Sequence, residues 1–389
     1  MAKITKNNYK YYFIFSLCIL TPIFVSLGYN GEVVFNRDVR ISGYRGYMVS
    51  FPISILFLVV FYLAKYRVKV INKPILFLFA LSLLGFVYDD FLVTRYISNI
   101  YLILFIVSLL FFNRVFIAIL SATDLFSLRS LEKYIIIYPM LTILVISILS
   151  DIIYGGKGYF LHDGIFIYNY YQYFSIVFIL LLSASIKESI ALSIVIFVLS
   201  LYLSHNSGNS LAFALLVFTM LSLVIVKYRI IIFRKPIYKL AIFVTAIIPI
   251  LYLFSLNFLT GLGLEEYFRG RFIIIRMFFD SVSWEQVFLP YFHNIVVTGP
   301  MHNEVLSIFK SSSIFGVAIY YYIVISNINN YSPDYRLIGL SVLMITFIGG
   351  VVVSTVLHFY TMIVLAYVIS FYRVLSKYKK YTTEKAAPL

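Results

Sequence analysis

The stretch LAIFVTAIIPILYLFSL at residues 240–256 contains no charged side chain. Similar apolar runs recur along the chain, which has 389 residues, is 62% hydrophobic and only 12% charged, and has a mean hydropathy of +0.96. Soluble domains are usually about 45–50% apolar, and an uncharged run of about 18 residues is typical of a helix that crosses a bilayer. The composition therefore excludes a soluble enzyme and a disordered chain, and it predicts an all-α polytopic membrane protein.

Charged and turn residues divide the apolar runs into about twelve predicted transmembrane helices. A β-barrel is excluded because the runs are continuously apolar instead of alternating over about ten residues. The longest interruption, residues 257–305, lies between spans nine and ten and is too long for a simple connector. We expect a single integral membrane domain over 1–389, with short helices in the loop 257–305 and a tail at 373–389. The predicted spans are residues 11–29, 48–64, 74–88, 96–112, 134–150, 171–186, 190–204, 211–226, 240–256, 306–325, 337–353 and 357–372.

The charged residues indicate which side of the membrane each segment faces. With the N-terminus inside, the inner segments hold 22 of the 31 Lys and Arg residues but only 5 of the 16 acidic residues. The other 9 basic and 11 acidic residues lie toward the outside. Because basic loops stay in the cytoplasm, we expect both termini there and the loop 257–305 outside. The positive charge then reflects topology and attraction to anionic lipid, and it gives no reason to expect nucleic acid as a partner.

Asp, Glu, Lys and Arg are nearly absent from the predicted spans. Among these residue types Lys310, near the start of the tenth span, is the exception. An ion-coupled transporter is expected to carry ionisable residues at the middle of the membrane, so this pattern disfavours transport. Cys18 is the single cysteine, and no histidine shows metal-ligand spacing such as H-x-x-x-H, so we expect no metal and no other cofactor. All five histidines fall in or beside outer segments: His162, His205, His293, His302 and His358.

The outer loop 257–305 contains three arginines that could bind phosphate. A helix over 265–280 would place Arg269 and Arg276 on one face, seven residues apart, with Arg271 pointing elsewhere. A guanidinium grips phosphate oxygens through two parallel hydrogen bonds, so this patch suits a lipid pyrophosphate. The alternative is that Arg276 only forms an i,i+4 ion pair with Asp280, while the other arginines reach lipid headgroups.

The segment His302-Asn303-Glu304 stands just before the tenth predicted span. Glu304 favours a helix N-terminus, where free backbone amides could bind an anion. Histidine has the side-chain pKa nearest to neutral pH, which makes His302 a natural base for a sugar hydroxyl.

The acidic pair Asp89 and Asp90 follows the third predicted span and allows two interpretations. The two residues are either catalytic carboxylates or the polar end of that span.

Four motifs follow one another in the C-terminal half: F-R-G-R at 268–271, Gly299, H-N-E-V-L at 302–306 and S-I-F-G at 313–316. This order resembles the C-terminal signature of the O-antigen polymerase and O-antigen ligase superfamily. In that family an arginine-bearing periplasmic loop precedes an H-N-x-x-L motif that opens a span. The motifs cover about 50 residues, and the layout of twelve spans with a large late periplasmic loop agrees over the rest of the chain.

The resemblance implies an enzyme of lipopolysaccharide biosynthesis in the bacterial inner membrane. It would use an undecaprenyl-pyrophosphate-linked oligosaccharide as donor at the periplasmic face, without metal. His302 would be the general base, Asn303 would orient it, and Arg271 would neutralise the pyrophosphate leaving group. From the arginine patch and the helix N-terminus described above, we further expect Arg269, Arg276 and Glu304 to contact pyrophosphate or glycan. A chain-length-regulating co-polymerase would be a partner.

The sequence also departs from the family pattern at two places. Many members carry an S-R-G-like motif before a middle span, whereas this chain has S-H-N-S-G-N-S at 204–210 without arginine. His205 would then take the role of that arginine, or the charge would come from Lys157 or Arg276. Lys310 and three serines occupy a position that is acidic in many relatives, so Lys310 is a further candidate phosphate contact.

These features predict a metal-independent membrane glycosyltransferase that polymerises lipid-linked repeat units. The first alternative is an O-antigen ligase, which transfers finished glycan to the lipid A core, because the motifs hardly separate the two enzymes. The second alternative is a flippase or transporter of the same lipid-linked oligosaccharide, which would not be an enzyme.

Overall fold

The computed structural model describes the C-terminal half of the chain most fully. The described residues are helical almost throughout and include no strand, so the all-α class is confirmed for this part. The predicted spans at 11–29, 48–64 and 171–186 lie outside the described residues, as do Cys18, Asp89, Asp90 and Lys157. The described residues are 76–77, 80, 105–106, 108–113, 116–117, 145, 190–206, 210–227, 234–261, 270–288, 303–350 and 359–386.

Eight α-helices follow one another in the described part from residue 190 onward. A 3₁₀ turn, Pro333–Tyr335, precedes the seventh helix, and a π-helical segment, Met344–Gly349, follows it. The α-helices are α1 Ile190–Asn206, α2 Ser210–Lys227, α3 Lys235–Gly261, α4 Gly270–Ser281, α5 Trp284–Phe288, α6 Glu304–Ile328, α7 Arg336–Leu343 and α8 Phe359–Ala386.

The helix α3 is the longest apolar helix in the described chain. It has Pro236 in its first turn, where the missing N–H has no partner within the helix anyway. Its segment Lys235–Leu253 is the one stretch of the described residues long and apolar enough to cross a membrane. Shorter apolar helices cover Ile190–Tyr202 and Ser312–Ile328. Twelve spans therefore remain a prediction.

The helix α8 extends farther than the sequence suggests. The last span was predicted at 357–372 with a tail at 373–389, but α8 continues without a break to Ala386. Val374 and Leu375 are buried, because this part of α8 packs against the other helices. The first residues of the predicted tail thus belong to the packed helical core.

The start of α3, the end of α6 and the middle of α8 meet at one end of the described helices, which we call the tyrosine end. The hydroxyl of Tyr238 donates a 2.9 Å hydrogen bond to the carbonyl of Ile328. Tyr331 donates one of 3.0 Å to the carbonyl of Ile369. Burial raises the pKa of the Tyr331 hydroxyl well above its usual range, so the group stays a donor at neutral pH. The charge pattern predicts all three segments on the cytoplasmic side of a membrane, and this placement stays a prediction.

The helix α6 is not one straight rod. Ser313 has φ 62° and ψ −175°, a conformation almost confined to glycine, and it divides α6 into a first arm, 304–312, and a second arm, 314–328. The hydroxyl of Tyr320 donates a 2.6 Å hydrogen bond to Oε1 of Glu304, 16 residues earlier. In a continuous helix these residues would be about 24 Å apart. The arms therefore fold back on each other, and the prediction of one uninterrupted span over 306–325 is wrong.

Candidate active site

The helix α4 packs against the first arm of α6. Ile275 and Phe278 of α4 form a buried apolar cluster with Leu306, and Phe309 packs against it. The rings of Phe278 and Phe309 meet edge to face, with centroids 5.7 Å apart. Tyr252 and Leu253 of α3 and Val282 pack on the same cluster.

A second aromatic contact lies beyond Ser313. Phe288 of α5 lies 6.0 Å from Phe315 in the second arm of α6, measured between ring centroids. The stretch 270–288 therefore contacts α6 on both sides of Ser313: α4 meets the first arm at Phe309, and α5 meets the second arm at Phe315.

This packing links the helix that carries Arg271 to the helix that follows His302. Arg271 lies in the first turn of α4, seven residues or about two helical turns before Phe278. Asn303 precedes the first arm of α6, six residues before Phe309. The side chain of Arg271 and the whole of His302 lie outside the described residues.

The start of the first arm is buried. The hydrogen bond between Tyr320 and Glu304 brings it beside the second arm, about eight residues before Ile328 at the tyrosine end. Asn303 is 0% exposed and Glu304 1%. The sequence predicted both residues in an outer loop, whereas the structure packs them among the described helices.

Asn303 caps the first arm of α6. Its backbone is extended, with φ −144° and ψ 124°, and its Oδ1 accepts a 3.1 Å hydrogen bond from the N–H of Leu306. Its carbonyl accepts bonds from the N–H of Ser307 at 3.0 Å and from the Ser307 hydroxyl at 2.8 Å. An asparagine at this position satisfies an N–H that the helix cannot. The cap fixes the direction in which the chain leaves toward His302, and the predicted role of Asn303 in orienting that histidine remains a prediction.

The carboxylate of Glu304 is enclosed by protein. The residue is only 1% exposed, and its Oε1 accepts the hydrogen bond from Tyr320. A Cβ atom added to Gly350 would lie 3.1 Å from both Cβ and Oε2 of Glu304, so glycine permits the close approach. Glu304 was expected to contact pyrophosphate or glycan. A buried carboxylate with the same sign of charge as a pyrophosphate is poorly placed for that role.

Two stretches of irregular backbone occur in the elements that hold this carboxylate. The π-helical segment Met344–Gly349 ends directly before Gly350, and its Phe347 stacks on Tyr321 with ring centroids 4.3 Å apart. Phe347 also meets Tyr320 edge to face at 6.4 Å. The second irregularity is Ser313, which is fully buried. Strained backbone and π-helical turns occur frequently at functional sites. Here the π-helical segment ends beside Glu304, and the strained residue lies between Glu304 and Tyr320 in the sequence.

The other predicted site residues do not gather around this pair. Arg276 Nε lies 3.7 Å from Asp280 Oδ2, with the side chains 56% and 72% exposed, which is the ion pair considered as the alternative. His205 is exposed in the last turn of α1. Arg269 and the side chain of Lys310 lie outside the described residues.

No group of three or more His, Cys, Asp and Glu side chains in the described part of the chain could hold a metal. Four of the five histidines lie outside the described residues. The expectation that the protein needs no metal therefore remains a prediction.

Reasoning from sequence missed Tyr320, Gly350 and the hinge at Ser313. The run of three serines at 311–313 and the glycine pair at 349–350 are the signals that could have drawn attention to them. Small and hydroxyl-bearing residues inside an apolar stretch are compatible with irregular backbone between packed helices. Nothing in the local sequence connects Tyr320 to Glu304.

Comparison with known proteins gives no match: no family model, no curated protein and no solved structure matches the chain.

Proposed function

We propose that the chain is a glycan polymerase of the bacterial inner membrane with about twelve transmembrane helices. It transfers a growing oligosaccharide from undecaprenyl pyrophosphate to the nonreducing end of another lipid-linked repeat unit at the periplasmic face. Its partners are the lipid-linked oligosaccharide, the surrounding lipid and a chain-length-regulating co-polymerase. The proposal rests on the ordered motifs F-R-G-R, H-N-E-V-L and S-I-F-G.

The packing of α4 against the first arm of α6 is the observation that supports this proposal. Phe278 and Phe309 join the helix that begins at the F-R-G-R motif to the helix that begins at the H-N-E-V-L motif, although the two motifs are some 30 residues apart in sequence. Glycosyl transfer from a pyrophosphate requires a base and a cation. The base serves the acceptor hydroxyl, and the cation serves the leaving group.

In the proposed reaction His302 takes the proton from the acceptor hydroxyl as that oxygen bonds to the anomeric carbon. The bond between the anomeric carbon and the pyrophosphate oxygen breaks, and its electron pair leaves with the pyrophosphate. Arg271 stabilises the negative charge that develops there. Removal of one such preorganised donor typically lowers the rate by about 10²–10³. The proton on His302 then returns to solvent.

The test is complementation of a deletion strain of the source organism, with surface glycan resolved by electrophoresis. His302→Ala and Arg271→Ala are expected to abolish multi-unit glycan while the protein remains at wild-type level in the membrane fraction. Asp280→Asn, an exposed change in the same helix as Arg271, is the matched control and is expected to preserve the polymer. Normal chain length in the His302→Ala strain would remove this residue from the mechanism.

The same deletion strain separates the polymerase from the ligase. A strain that lacks a polymerase makes surface lipid bearing single repeat units. A strain that lacks a ligase makes surface lipid without any glycan unit. We expect single units.

One observation favours the transport alternative. Glu304 is an ionisable residue buried among helices, and it stands on a helix that is broken at Ser313. Buried carboxylates and discontinuous helices are both typical of transport sites in membranes. Accumulation of the lipid-linked unit on the cytoplasmic leaflet after deletion would support a transporter, whereas accumulation on the periplasmic leaflet supports the polymerase.

A further inference from the structure

We infer that Glu304 and Tyr320 are positioning residues for the base His302. Their hydrogen bond holds the two arms of α6 together, and this fixes the place of the residues at the start of the first arm. The inference rests on the proposed function, because it assigns the pair a role in the reaction of His302. Neither side chain contacts substrate in this role.

The first step of the argument is the strain at Ser313. Its φ of 62° is unfavourable for any residue with a Cβ atom, and its Oγ has no hydrogen-bond partner among the described residues that could compensate. Such a conformation persists only where surrounding contacts enforce it. The hydrogen bond of 2.6 Å between Tyr320 and Glu304 joins the arms on either side of the hinge and is one contact that can enforce it.

The second step is how tightly Glu304 is held. Tyr320 is 1% exposed, as is Glu304, so water does not compete for the hydrogen bond between them. Hydrogen bonds to carboxylates are strengthened in such a low-dielectric setting. Gly350 bounds the carboxylate on the side of Oε2. The position of Glu304 is therefore set by the second arm of α6 and by the segment after the π-helix.

The third step leads from Glu304 to His302. One residue, Asn303, separates them, and its side chain and carbonyl are both bonded to the first turn of α6. A shift of Glu304 is therefore expected to move Asn303, the residue from which the chain continues to His302. Displacement of a catalytic group by about 1 Å can cost about 10²-fold in rate.

Tyr321 provides a matched control. It is the neighbour of Tyr320 on the same arm, and its hydroxyl oxygen is buried without a hydrogen-bond partner among the described residues. Tyr321→Phe thus removes a hydroxyl at nearly the same depth without breaking a bond. Tyr320→Phe removes the hydroxyl that donates to Glu304.

The experiment uses the full chain purified into lipid vesicles, with the lipid-linked repeat unit extracted from the deletion strain as substrate. We expect Tyr320→Phe to lower kcat by about 10-fold to 100-fold, with KM changed by less than about twofold and the melting temperature of the purified protein recorded in parallel. Tyr321→Phe is expected to behave as wild type. Glu304→Gln keeps an oxygen that accepts the Tyr320 hydroxyl, so it is expected to retain much more activity than Glu304→Ala.

The outcomes separate the two proposals. If His302→Ala inactivates the protein but Tyr320→Phe and Tyr321→Phe have equal kcat values, the positioning role is overturned. The polymerase proposal is then left intact. A raised KM with unchanged kcat for Tyr320→Phe would also overturn it, because it would mean substrate contact. If Tyr320→Phe does not fold, the comparison of Glu304→Gln with Glu304→Ala decides: equal activities would overturn the inference. If the wild-type protein makes no polymer in this assay, both the proposed function and the inference that rests on it are overturned.

Discussion

Phe278 and Phe309 lie edge to face, with ring centroids 5.7 Å apart and ring planes at 81°. This is one of the favourable geometries for aromatic pairs because the positive edge of one ring meets the negative face of the other. The contact joins α4, which carries Arg271, to the first arm of α6, which follows His302. The arginine motif and the histidine motif are thereby parts of one packed unit.

Loss of the Phe278 ring is expected to loosen that unit. Phe278 is 1% exposed, whereas its neighbour Phe279 is 50% exposed on the other side of α4. Phe278→Ala should lower the free energy of unfolding by about 3–5 kcal/mol. Phe279→Ala should cost far less. Thermal unfolding of the two purified variants measures the difference, and equal melting temperatures would contradict the packing described for α4.

The fold of α6 can be tested by cross-linking. Cys18 is the single cysteine, so a Cys18→Ser background carries no thiol. Val305→Cys places a thiol in the first arm, next to Glu304, and Ile319→Cys places one in the second arm, next to Tyr320. The hydrogen bond between Glu304 and Tyr320 is kept in this variant. In a straight helix these positions would be about 21 Å apart.

A bifunctional maleimide much shorter than that separation is expected to link the two arms within one molecule, as detected by mass spectrometry of the linked peptides. Each single-cysteine variant is the control for reagent access. Labelling of both single variants without a link in the double variant would show that the arms do not fold back.

Asn303 is expected to stabilise α6 through its cap. Asn303→Ala should reduce the free energy of unfolding by about 0.5–2 kcal/mol. Asn303→Ser keeps a neutral side-chain oxygen that can accept from the N–H of Leu306 and should lose less stability than the alanine variant. The comparison also tests the orienting role: a stable Asn303→Ser protein without polymer would indicate a function beyond capping. An Asn303→Ala protein as stable as wild type would show that the cap contributes nothing.

Replacement of Ser313 should reveal the strain at the hinge. Ser313→Gly accommodates a φ of 62° freely, whereas Ser313→Ala removes the same hydroxyl but keeps the Cβ atom. Strain of this kind costs about 1–3 kcal/mol, partly offset by the conformational entropy of glycine, about 0.5–1 kcal/mol. The glycine variant should therefore unfold at a higher temperature than the alanine variant. The reverse order would argue against a strained hinge.

Arg276 is expected to be dispensable for polymer formation. It lies one position past Ile275, away from the packed face of α4, and pairs with the exposed Asp280. Exposed ion pairs contribute about 0–1 kcal/mol and weaken as salt is added. Arg276→Ala and Asp280→Ala should both change stability by less than about 1 kcal/mol and leave glycan length normal. Loss of polymer in Arg276→Ala alone would restore Arg276 as a pyrophosphate contact.

The helices that local sequence determines were predicted within a few residues. The spans predicted at 190–204 and 211–226 correspond to α1 and α2, because charged or polar residues bound each apolar run. The span at 240–256 lies within α3. The helix of the arginine motif, considered over 265–280, is described over Gly270–Ser281. In each of these cases the apolar residues that predict the helix lie within the helix itself, so the local sequence is sufficient.

The arrangement around Glu304 could not be predicted in the same way. Residues 306–325 are apolar enough for a straight helix, and serines are tolerated inside such helices. The fold-back at Ser313 depends on Tyr320, Gly350 and the π-helical segment, which are distant in sequence. From the sequence, Glu304 is predicted as an outer-loop residue, and its burial becomes evident only from its hydrogen bond to the distant Tyr320. Tertiary contacts, not the local pattern, decide this region.

The length of α3 has a consequence for where the proposed transfer would occur. Its apolar segment Lys235–Leu253 has 19 residues, about 28 Å, which nearly equals the hydrocarbon thickness of a bilayer. If α3 crosses the membrane as proposed, Tyr252 and Leu253 would stand at the boundary between acyl chains and headgroups, together with the cluster of α4 that they contact. A lipid pyrophosphate would then react at the edge of the hydrocarbon region. Exclusion of bulk water there would favour transfer to a sugar over wasteful hydrolysis of the donor.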